Sequence, residues 1–542
     1  AVILARCTSS RLSNKHFYKI GNKRLINIII DNLKKNNLIS KIYIATGSKK
    51  KNSLFKAVSK KEKVELHFHE NEDDVTGRVY AVTKKIKSEY TLLISGDCCL
   101  VDNSFIKRLY KQIESQDTDF IKSKKKLIHE GISIFKTSIW KKVKNLSKKN
   151  YQKEHSGYVV NEYPDKFKIG KYKPLKYELG KKFRLSVDTQ SDLDFFNANY
   201  NLLEERGIKF KLKNVINSKN FNFLNSHVQQ KKAIAKKEPR ISIITMASKK
   251  IGMGHFSRSK VILREINETI TSNVKIYVIG KKFKYRKFIH DNKIEFVPKI
   301  KKSLFFRHDK IIFDIPKKSF DLMKNEDLNK KNVIIIDNYR KLKKPKFIIP
   351  SLGGYEVKSK NIFSGKNYLI LSRDILKEKY TSIKNNQNLI FLSGSEKLDY
   401  SILDNLRKNN KKIHLIIGPL VSKSEIENLR KRKIQFSIDP ADIFRKIKIS
   451  KEIYCKFGVS TLEIIALNKK PIVIIKNEAS SRMRDIMVLF NLGLIKLLLN
   501  NNLVSKKKKI SVDINLSLKN IIKVINLKWK NLLFVWGLEK DN

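Results

Sequence analysis

Three cationic side chains lie close together in the segment ARCTSSRLSNK, which follows the first apolar run of the chain. They are Arg6, Arg11 and Lys15, and Ser10 adds a hydroxyl donor between them. Guanidinium groups make bidentate contacts with phosphate, and cations in one loop can neutralise a triphosphate. The segment therefore predicts a nucleotide-binding loop. The alternative is a solvated basic loop, because lysine is common throughout this chain.

Two aspartates each end an apolar run. Asp97 follows LLISG, and Asp188 follows FRLSV. A hard carboxylate at the carboxyl end of a strand suits Mg²⁺ that is bridged to phosphates. Asp97 is thus a candidate metal ligand, or else a residue that only turns the chain after a strand. Asp188 has the same arrangement and is also a candidate metal ligand. The alternative interpretation is that Asp188 is a helix N-cap, a position that aspartate fills well.

The segment IGMGHFSR places two glycines directly before a predicted helix. Gly252 and Gly254 allow the backbone to approach a ligand closely, and the helix N-terminus favours a phosphate. His255 follows at once, and a neutral imidazole at the mouth of a cleft is suited to act as a general base toward water. The alternative is a histidine that caps or packs at the helix start.

A second small-residue turn, GVSTLE, opens a helix near the end of the chain. Gly458, Ser460 and Thr461 have the residue types that let a helix N-terminus bind phosphate. Glu463 is suited to accept hydrogen bonds from ribose hydroxyls, or else it is a solvated helix carboxylate. The turn predicts a second nucleotide site.

The elements that must position these residues alternate between strands and helices. The first 235 residues predict strands at Ala1–Ala5, Lys41–Thr46, Val64–Phe68 and Tyr90–Ser95 and helices at Leu25–Lys35, Asp73–Lys87 and Asn103–Ser115. Later residues predict a helix at Arg258–Glu268 and strands at Ile241–Thr245, Val274–Ile279, Val333–Asp337, Leu389–Leu392, Ile413–Ile417 and Pro471–Ile475. Such alternation favours α/β domains with mostly parallel sheets. Ligands bind there at the carboxyl ends of the strands.

The length of 542 residues allows about three globular units. Gln229–Pro239 is polar and lysine-rich and is the predicted linker, and Asn361–Gln387 divides the second series of elements. The predicted domains are therefore residues 1–235, 240–385 and 386–542.

The formal net charge is +65. This suits a protein that binds nucleic acid or a membrane surface, or it follows from the codon usage of an AT-rich genome. The lysines are scattered and no nucleic-acid-binding module accompanies them, so we expect no specific nucleic-acid partner. No apolar run of membrane-spanning length and no signal peptide are evident, so no integral membrane segment is expected. Four cysteines without metal-ligand or disulfide spacing favour a reduced, cytoplasmic setting.

The motifs of the first 235 residues resemble those of the cytidylyltransferase family that includes the spore-coat-polysaccharide enzymes and the CMP-sialic acid synthetases. That family carries A-R-x-x-S-x-R-L-P-x-K, G-D-x-P-L and V-D-T, matched in order by Ala5–Lys15, Gly96–Leu100 and Val187–Thr189. Its D-D-V-x-x-R and E-H segments are similar to Glu72–Arg78 and Glu154-His155. In two places the chain departs from the pattern. Ser13-Asn14 replaces Pro-Gly, which is expected to loosen the loop, and Cys99 replaces a proline.

The resemblance implies a GT-A-like, Rossmann-like nucleotidyltransferase domain. Its reaction would join CTP and a sugar acid into a CMP-sugar and release pyrophosphate. It further implies a set of site residues: Arg6, Ser10, Arg11 and Lys15 for the triphosphate, with Arg11 and Lys15 in catalysis, and Asp97 and Asp188 for Mg²⁺.

Residues 240–500 resemble the UDP-sugar hydrolase of the pseudaminic acid pathway, a two-lobed fold of the GT-B kind. That family's I-G-x-G-H-x-x-R and G-G-S-T-x-E segments are matched by Ile251–Arg258 and Gly458–Glu463, and its Y-x-L-L-R segment is similar to Tyr368–Arg373. Val459 replaces one glycine, which is expected to narrow the phosphate pocket. The resemblance implies that UDP is removed from a UDP-linked diacetamido sugar, with His255 as the base and no metal.

Together these observations predict a bifunctional enzyme of nonulosonic acid (sialic, pseudaminic or legionaminic type) or surface polysaccharide biosynthesis. Its ligands would be CTP and a sugar acid in the N-terminal domain and a UDP-sugar in the C-terminal region. Two alternatives stay open: a glycosyltransferase in the C-terminal region, or a basic nucleic-acid-associated protein. A homodimer is also left open.

Overall fold

In the computed structural model, the chain divides into two compact units, Ala1–Ile234 and Ala235–Asn542. The structure describes residues 1–9, 12–129, 131–155, 157–179, 185–217, 239–269, 273–283, 293–299, 309–352, 359–378, 387–391, 400–408, 412–475, 483–499, 502–505 and 514–525. Two predicted site residues, Ser10 and Arg11, lie outside these ranges, as do residues 229–238 of the predicted linker. Within the described ranges, no helix is long and apolar enough to cross a membrane.

The first unit contains nine strands and nine helices in its described part. The strands are β1 (Val2–Leu4), β2 (Lys19–Ile20), β3 (Lys23–Arg24), β4 (Tyr43–Thr46), β5 (Glu65–Phe68), β6 (Tyr90–Ser95), β7 (Phe120–Lys122), β8 (Ile132–Lys136) and β9 (Ile169–Lys171). The helices are α1 (Leu25–Lys34), α2 (Phe55–Glu62), α3 (Val75–Thr83), α4 (Asn103–Ser115), α5 (Trp140–Leu146), α6 (Asn150–Glu154), α7 (Gly157–Glu162), α8 (Gln190–Glu204) and α9 (Leu212–Asn217).

Seven of these strands form one sheet in the order β5-β4-β1-β6-β8-β7-β9. Strands β5, β4, β1 and β6 are parallel, so their carboxyl ends meet at one edge, and Leu4 is in register with Ser95 there. Strand β8 is antiparallel to both β6 and β7. The sheet is thus mixed, and its parallel half positions the loops that follow β1 and β6.

Helices α3, α4 and α8 of the first unit each begin after an N-cap side chain that accepts a hydrogen bond from a free N–H group of the first turn. The predicted start of α3 at Asp73 is wrong, because Asp74 is the N-cap and accepts a hydrogen bond from Gly77 N at 2.7 Å. Helix α4 likewise follows the N-cap Asp102. Helix α1 buries Leu25, Ile26, Ile29, Ile30 and Leu33, whose spacing places them on one face.

The second unit contains fourteen strands and nine helices in its described part. The strands are β10 (Arg240–Met246), β11 (Asn273–Ile279), β12 (Ile294–Val297), β13 (Lys310–Asp314), β14 (Val333–Ile336), β15 (Lys346–Ile349), β16 (Ile362–Ser364), β17 (Asn388–Phe391), β18 (Ile413–Ile417), β19 (Phe436–Ile438), β20 (Ile453–Cys455), β21 (Ile472–Ile475), β22 (Lys496–Leu499) and β23 (Asn502–Ser505). The helices are α10 (Gly254–Thr269), α11 (Lys317–Asp321), α12 (Asn325–Leu328), α13 (Tyr400–Lys408), α14 (Lys423–Lys431), α15 (Ile443–Ile449), α16 (Val459–Ala466), α17 (Met483–Asn491) and α18 (Ile514–Ile525).

Two seven-stranded sheets make up the second unit, in the orders β12-β11-β10-β13-β14-β15-β16 and β19-β18-β17-β20-β21-β22-β23. The first is parallel throughout, and in the second only β22 and β23 pair antiparallel. Strand β10 has β11 on one side and β13 on the other, so the chain reverses its direction of winding there. Such a switch point opens a crevice at the carboxyl ends of the strands. Short 3₁₀ helices in the two units lie at Lys15–Phe17, Thr137–Ile139, Pro164–Lys166, Lys176–Glu178, Lys366–Tyr368 and Arg373–Glu378.

The second unit differs from the sequence prediction at the elements that position its polar groups. Helix α10 begins at Gly254, earlier than the predicted Arg258, so His255 lies within its first turn. Strand β14 ends at Ile336, and Asp337 follows with a positive φ of 63°. Strand β13, which the sequence analysis did not predict, ends in the buried Asp314.

Candidate active site

In the first unit, the ammonium group of Lys15 lies between two carboxylates at the carboxyl edge of the sheet. Its Nζ is 2.6 Å from Oδ2 of Asp97 and 2.9 Å from Oδ1 of Asp188. The N–H of Val187 donates to the carbonyl of Asp97 at 2.9 Å, which joins the two chain segments. Burial lowers the pKa of Lys15, but the charges of Asp188 and Asp97 outweigh it and raise that pKa above its ordinary value.

Asp97 and Asp188 are suited to bind a cation. Both carboxylates already face the positive charge of Lys15, and neither serves as a helix cap, since the N-cap of α8 is Thr189. Among the described residues there is no cluster of three His, Cys, Asp or Glu side chains for a metal ion. A Mg²⁺ ion at this pair would therefore take its other oxygen ligands from phosphate and water, as Mg²⁺ commonly does.

Arg6 lies at the end of β1 and is held by acidic residues from two other segments. Its Nη1 donates to Oδ1 of Asp73 at 3.0 Å, and its Nη2 is 3.8 Å from Oε1 of Glu154. These are the segments that the sequence analysis compared with the D-D-V-x-x-R and E-H motifs. The side chain of Arg6 keeps 35% of its surface exposed, so a ligand can reach it.

Glu72 is a residue that sequence reasoning missed as part of this site. Its carboxylate accepts hydrogen bonds from Thr8 Oγ1 at 2.7 Å, Asn52 Nδ2 at 2.6 Å and Ser48 N at 3.0 Å. Asn52 in turn accepts from the backbone N–H of Cys7 at 2.7 Å. Burial raises the pKa of Glu72, but these hydrogen bonds outweigh it and lower that pKa. Glu72 thus holds the loop after β1, and no spacing signal in the sequence identifies it.

The end of the same loop is closed by Asn14 and His16. Asn14 has φ +54°, a left-handed conformation that asparagine tolerates better than most residues, and its N–H donates to Cys7 O at 3.0 Å. It therefore adopts a backbone conformation that the glycine expected here by the resemblance would also allow, and its hydrogen bond joins the described parts of the loop on either side of residues 10 and 11. His16 Nδ1 donates to Gly96 O at 2.8 Å, and its Nε2 accepts from Arg6 N at 3.3 Å.

In the second unit, His255 is part of a buried charged cluster at the ends of β10, β13 and β14. Its Nδ1 is 2.7 Å from Oδ1 of Asp314, whose side chain is fully buried. Arg258 donates to Asp314 from Nε at 3.1 Å and from Nη2 at 2.6 Å, and to Asp337 from Nη1 at 2.8 Å. Arg258 Nη2 also lies 3.0 Å from Nδ1 of His255, but it donates to Oδ1 of Asp314 over the shorter distance of 2.6 Å. Because the carboxylate only accepts hydrogen bonds, we assign the proton to Nδ1, which leaves Nε2 as the basic nitrogen.

The turns that precede α10 and α16 lie next to each other. A Cβ atom built on Gly254 would lie 3.9 Å from Cγ2 of Val459, the first residue of α16. Gly252 has φ +81°, which glycine adopts without strain. The two predicted phosphate turns therefore lie side by side, and Val459 occupies space beside Gly254.

The first turn of α16 contains the remaining predicted ligand residues. Thr461 Oγ1 accepts from Gly458 N at 3.1 Å, and Ser460 lies beside them. Burial, followed by the negative charge of Asp374, raises the pKa of Glu463 to about 8. Glu463 is only partly exposed, so it stays a candidate for the contact with a ribose hydroxyl.

Residues 1–234 match the family model described as cytidylyltransferase. The N-terminal unit, called the cytidylyltransferase unit below, is similar to that family over its whole length. An uncharacterised protein of Methanocaldococcus jannaschii is 27% identical over 195 residues, which cover 36% of this chain and 80% of that protein. The match to the family model ends before the second unit begins.

Solved structures similar to the cytidylyltransferase unit include a cytidylyltransferase from Leptospira borgpetersenii, with 20% identity, a TM-score of 0.34 and coverage of 38% of this chain and 93% of that chain. CMP:2-keto-3-deoxy-manno-octonic acid synthetase, complexed with CTP, has 14% identity, a TM-score of 0.31 and coverage of 38% and 98%. At these identities and TM-scores, neither structure indicates which substrate this chain uses.

The cytidylyltransferase unit brings three of its six predicted site residues into direct contact: Lys15, Asp97 and Asp188. The backbone N–H of Arg6 is linked to the turn before Asp97 through the ring of His16, whereas the guanidinium of Arg6 contacts Asp73 and Glu154. Ser10 and Arg11 lie outside the described residues. Cys99, which stands where the family has proline, is fully buried.

Proposed function

We propose that the cytidylyltransferase unit forms a CMP-sugar from CTP and a sugar acid. The observation that supports this most directly is the contact of Lys15 with Asp97 and Asp188 at the end of β1 and β6. These groups lie where a parallel sheet binds its ligand. The match to the family model supports cytidylyl transfer. That the acceptor is a sugar acid is our further proposal.

In this reaction a hydroxyl oxygen of the sugar acid forms a bond to the α-phosphorus of CTP and loses its proton to solvent, and the bond from that phosphorus to the pyrophosphate oxygen breaks. Arg6, Arg11 and Lys15 bind the triphosphate. The imidazole of His16 holds the backbone of Arg6 against the turn at Gly96, because it contacts Arg6 N and Gly96 O. Asp97 and Asp188 would hold Mg²⁺, which would supply positive charge beside the leaving pyrophosphate.

Pyrophosphate release tests this function. The full chain is assayed with CTP, Mg²⁺ and a panel of nonulosonic and 3-deoxy-octulosonic acids. Release that needs both CTP and one sugar acid is expected, and Asp97→Asn should lower it about 10²-fold or more, since it removes a charge at the reacting groups. Asp117→Asn, an exposed aspartate of the same unit, should leave the rate unchanged. No release from folded protein with any acid would contradict the proposal.

We further propose that the second unit hydrolyses a UDP-sugar. The contact between His255 and Asp314 favours this function, because it leaves Nε2 of the imidazole as a base toward water. The water oxygen forms a bond to the anomeric carbon, the bond from that carbon to UDP breaks, and Nε2 takes the proton. Gly252, Gly254, Gly458, Ser460 and Thr461 would receive the phosphates, and Glu463 a ribose hydroxyl.

Release of UDP from UDP-linked N-acetyl and diacetamido sugars tests the second proposal. His255→Gln should reduce release about 10²-fold or more, and His414→Gln, on β18 of the same unit, should not. UDP release that requires an added acceptor would identify a glycosyltransferase instead. A cytoplasmic location and a homodimer stay predictions.

A further inference from the structure

Every carboxylate oxygen of Asp97 and Asp188 has a donor in this structure. Lys15 Nζ contacts one oxygen of each at 2.6 and 2.9 Å. The other oxygen of Asp97 accepts from Ser95 Oγ at 2.6 Å, and that of Asp188 accepts from Ser186 Oγ at 3.4 Å. The pair is therefore satisfied without any metal ion.

Lys15 and a divalent cation compete for the same place. Mg²⁺ binds carboxylate oxygens at about 2.0–2.1 Å, so an ion shared by Asp97 and Asp188 would need the volume that the ammonium of Lys15 fills. Lys15 is only 8% exposed, so little water screens its repulsion of a second cation. Metal entry thus requires the ammonium to leave.

An alternative acceptor for that ammonium lies within its own loop. Lys15 follows the loop after β1, whose described residues Cys7 and Asn14 are joined by the hydrogen bond from Asn14 N to Cys7 O. A bound triphosphate would therefore offer phosphate oxygens to Lys15 within the reach of one side chain. Such an exchange replaces one anionic partner by another, without leaving the charge of Lys15 unpaired.

We propose that Lys15 blocks the Asp97–Asp188 pair to divalent cations until a nucleoside triphosphate draws its ammonium away, so that metal and nucleotide bind together. The inference rests on the proposed function only in taking a triphosphate as the ligand of the loop. Coupling between the two ligands is reciprocal: the nucleotide raises the affinity for the metal, and the metal raises that for the nucleotide by the same factor.

Equilibrium dialysis of Mn²⁺ against the full chain tests the inference, because only protein-bound metal accumulates on the protein side. Without nucleotide, Lys15→Met is expected to bind Mn²⁺ roughly 10-fold more tightly than the unmodified chain. Lys41→Met removes an exposed lysine of the same unit and should match the unmodified chain. Equal affinity in Lys15→Met and the unmodified chain would overturn the inference.

A second measurement needs no substitution, in case Lys15→Met does not fold by circular dichroism. The unmodified chain is dialysed with Mn²⁺ and the α,β-methylene analogue of CTP, which cannot release pyrophosphate and which equilibrates across the membrane. Protein-bound Mn²⁺ is expected to rise roughly 10-fold over the amount without the analogue. Bound Mn²⁺ that does not change would overturn the inference.

Pyrophosphate release separates this inference from the proposed function. Release together with tight Mn²⁺ binding in the absence of nucleotide would leave the proposed function standing and the inference refuted. Coupled binding of Mn²⁺ and the analogue, without release for any sugar acid, would support the inference and contradict the proposed reaction.

Discussion

His255 donates a hydrogen bond from Nδ1 to Oδ1 of Asp314 over 2.7 Å, and Asp314 is fully buried at the end of β13. The two residues come from different strand–helix units of one parallel sheet, because β10 and β13 are neighbours in it. The contact fixes which ring nitrogen carries the proton. It makes Asp314 a positioning residue for the base that we propose.

Asp314→Asn is expected to lower UDP release about 10²-fold, because the ring loses the charge that orients it and that stabilises its protonated form. It also removes the negative charge that pairs with the buried guanidinium of Arg258, which should lower the unfolding free energy by about 3–5 kcal/mol. Initial rates below the onset of unfolding, together with urea melts, measure both effects. Asp321→Asn, at a surface ion pair with Lys317, is the matched control, and an unchanged rate in Asp314→Asn would refute the role.

The unfolding free energy is expected to fall as the pH drops from about 6.5 toward 4. Burial, and then the charge of Lys15, lowers the pKa of His16 to about 4, whereas an unfolded histidine titrates near 6.5. The unfolded state therefore binds more protons between these values, and stability is fully present only above them. His129, whose pKa burial also lowers to about 4, contributes in the same window.

Urea unfolding at pH 7 and pH 5 measures this dependence. His16→Gln should remove roughly 2 kcal/mol of the loss between the two values, since a glutamine does not titrate. His69→Gln, at a half-buried histidine that follows β5, is the control and should keep the full dependence. An equal loss in His16→Gln and the unmodified chain would show that His16 does not titrate as its surroundings indicate.

Gly96→Ala is expected to destabilise the cytidylyltransferase unit by about 1–3 kcal/mol. The added Cβ would lie 2.8 Å from the carbonyl oxygen of Leu4 and 2.9 Å from Cβ of Ala5, so β1 and β6 must separate. Because Asp97 is the next residue, pyrophosphate release should also fall. Gly157→Ala meets no atom within 4 Å, and we expect it to be neutral or mildly stabilising. Equal melting temperatures of the two variants would contradict the close packing of Gly96 against Leu4 and Ala5.

Glu72→Gln is expected to raise the KM for CTP and to cost about 1–3 kcal/mol of stability. The amide oxygen can still accept from Ser48 N and Asn52 Nδ2, but the side chain loses the charge that strengthens these hydrogen bonds, and Thr8 Oγ1 must change from donor to acceptor. Steady-state pyrophosphate release against CTP concentration measures the effect. Glu65→Gln is the control, because Glu65 is exposed and has only Lys41 at 4.0 Å. A KM unchanged by Glu72→Gln would show that the loop keeps its form without this carboxylate.

Several features of the fold follow from local pattern alone. The strands at the start of each unit are runs of buried aliphatic residues, and the predicted β10 and α4 lie where they were expected because the period of their apolar residues is unambiguous. Helix starts were less predictable: α10 begins before Arg258, since glycine and histidine can occupy a first turn as well as precede one.

The sequence by itself determined the residue types of the site: cations after the first strand, aspartates after two later apolar runs, and a histidine at a helix start. Those signals are local in the chain. Only the tertiary structure decided that Lys15 contacts both Asp97 and Asp188, that Glu72 holds the loop, and that Asp314 orients His255. The reason is physical: strand order and register decide which loop ends meet, and residues far apart in the chain carry no periodic signal of that meeting.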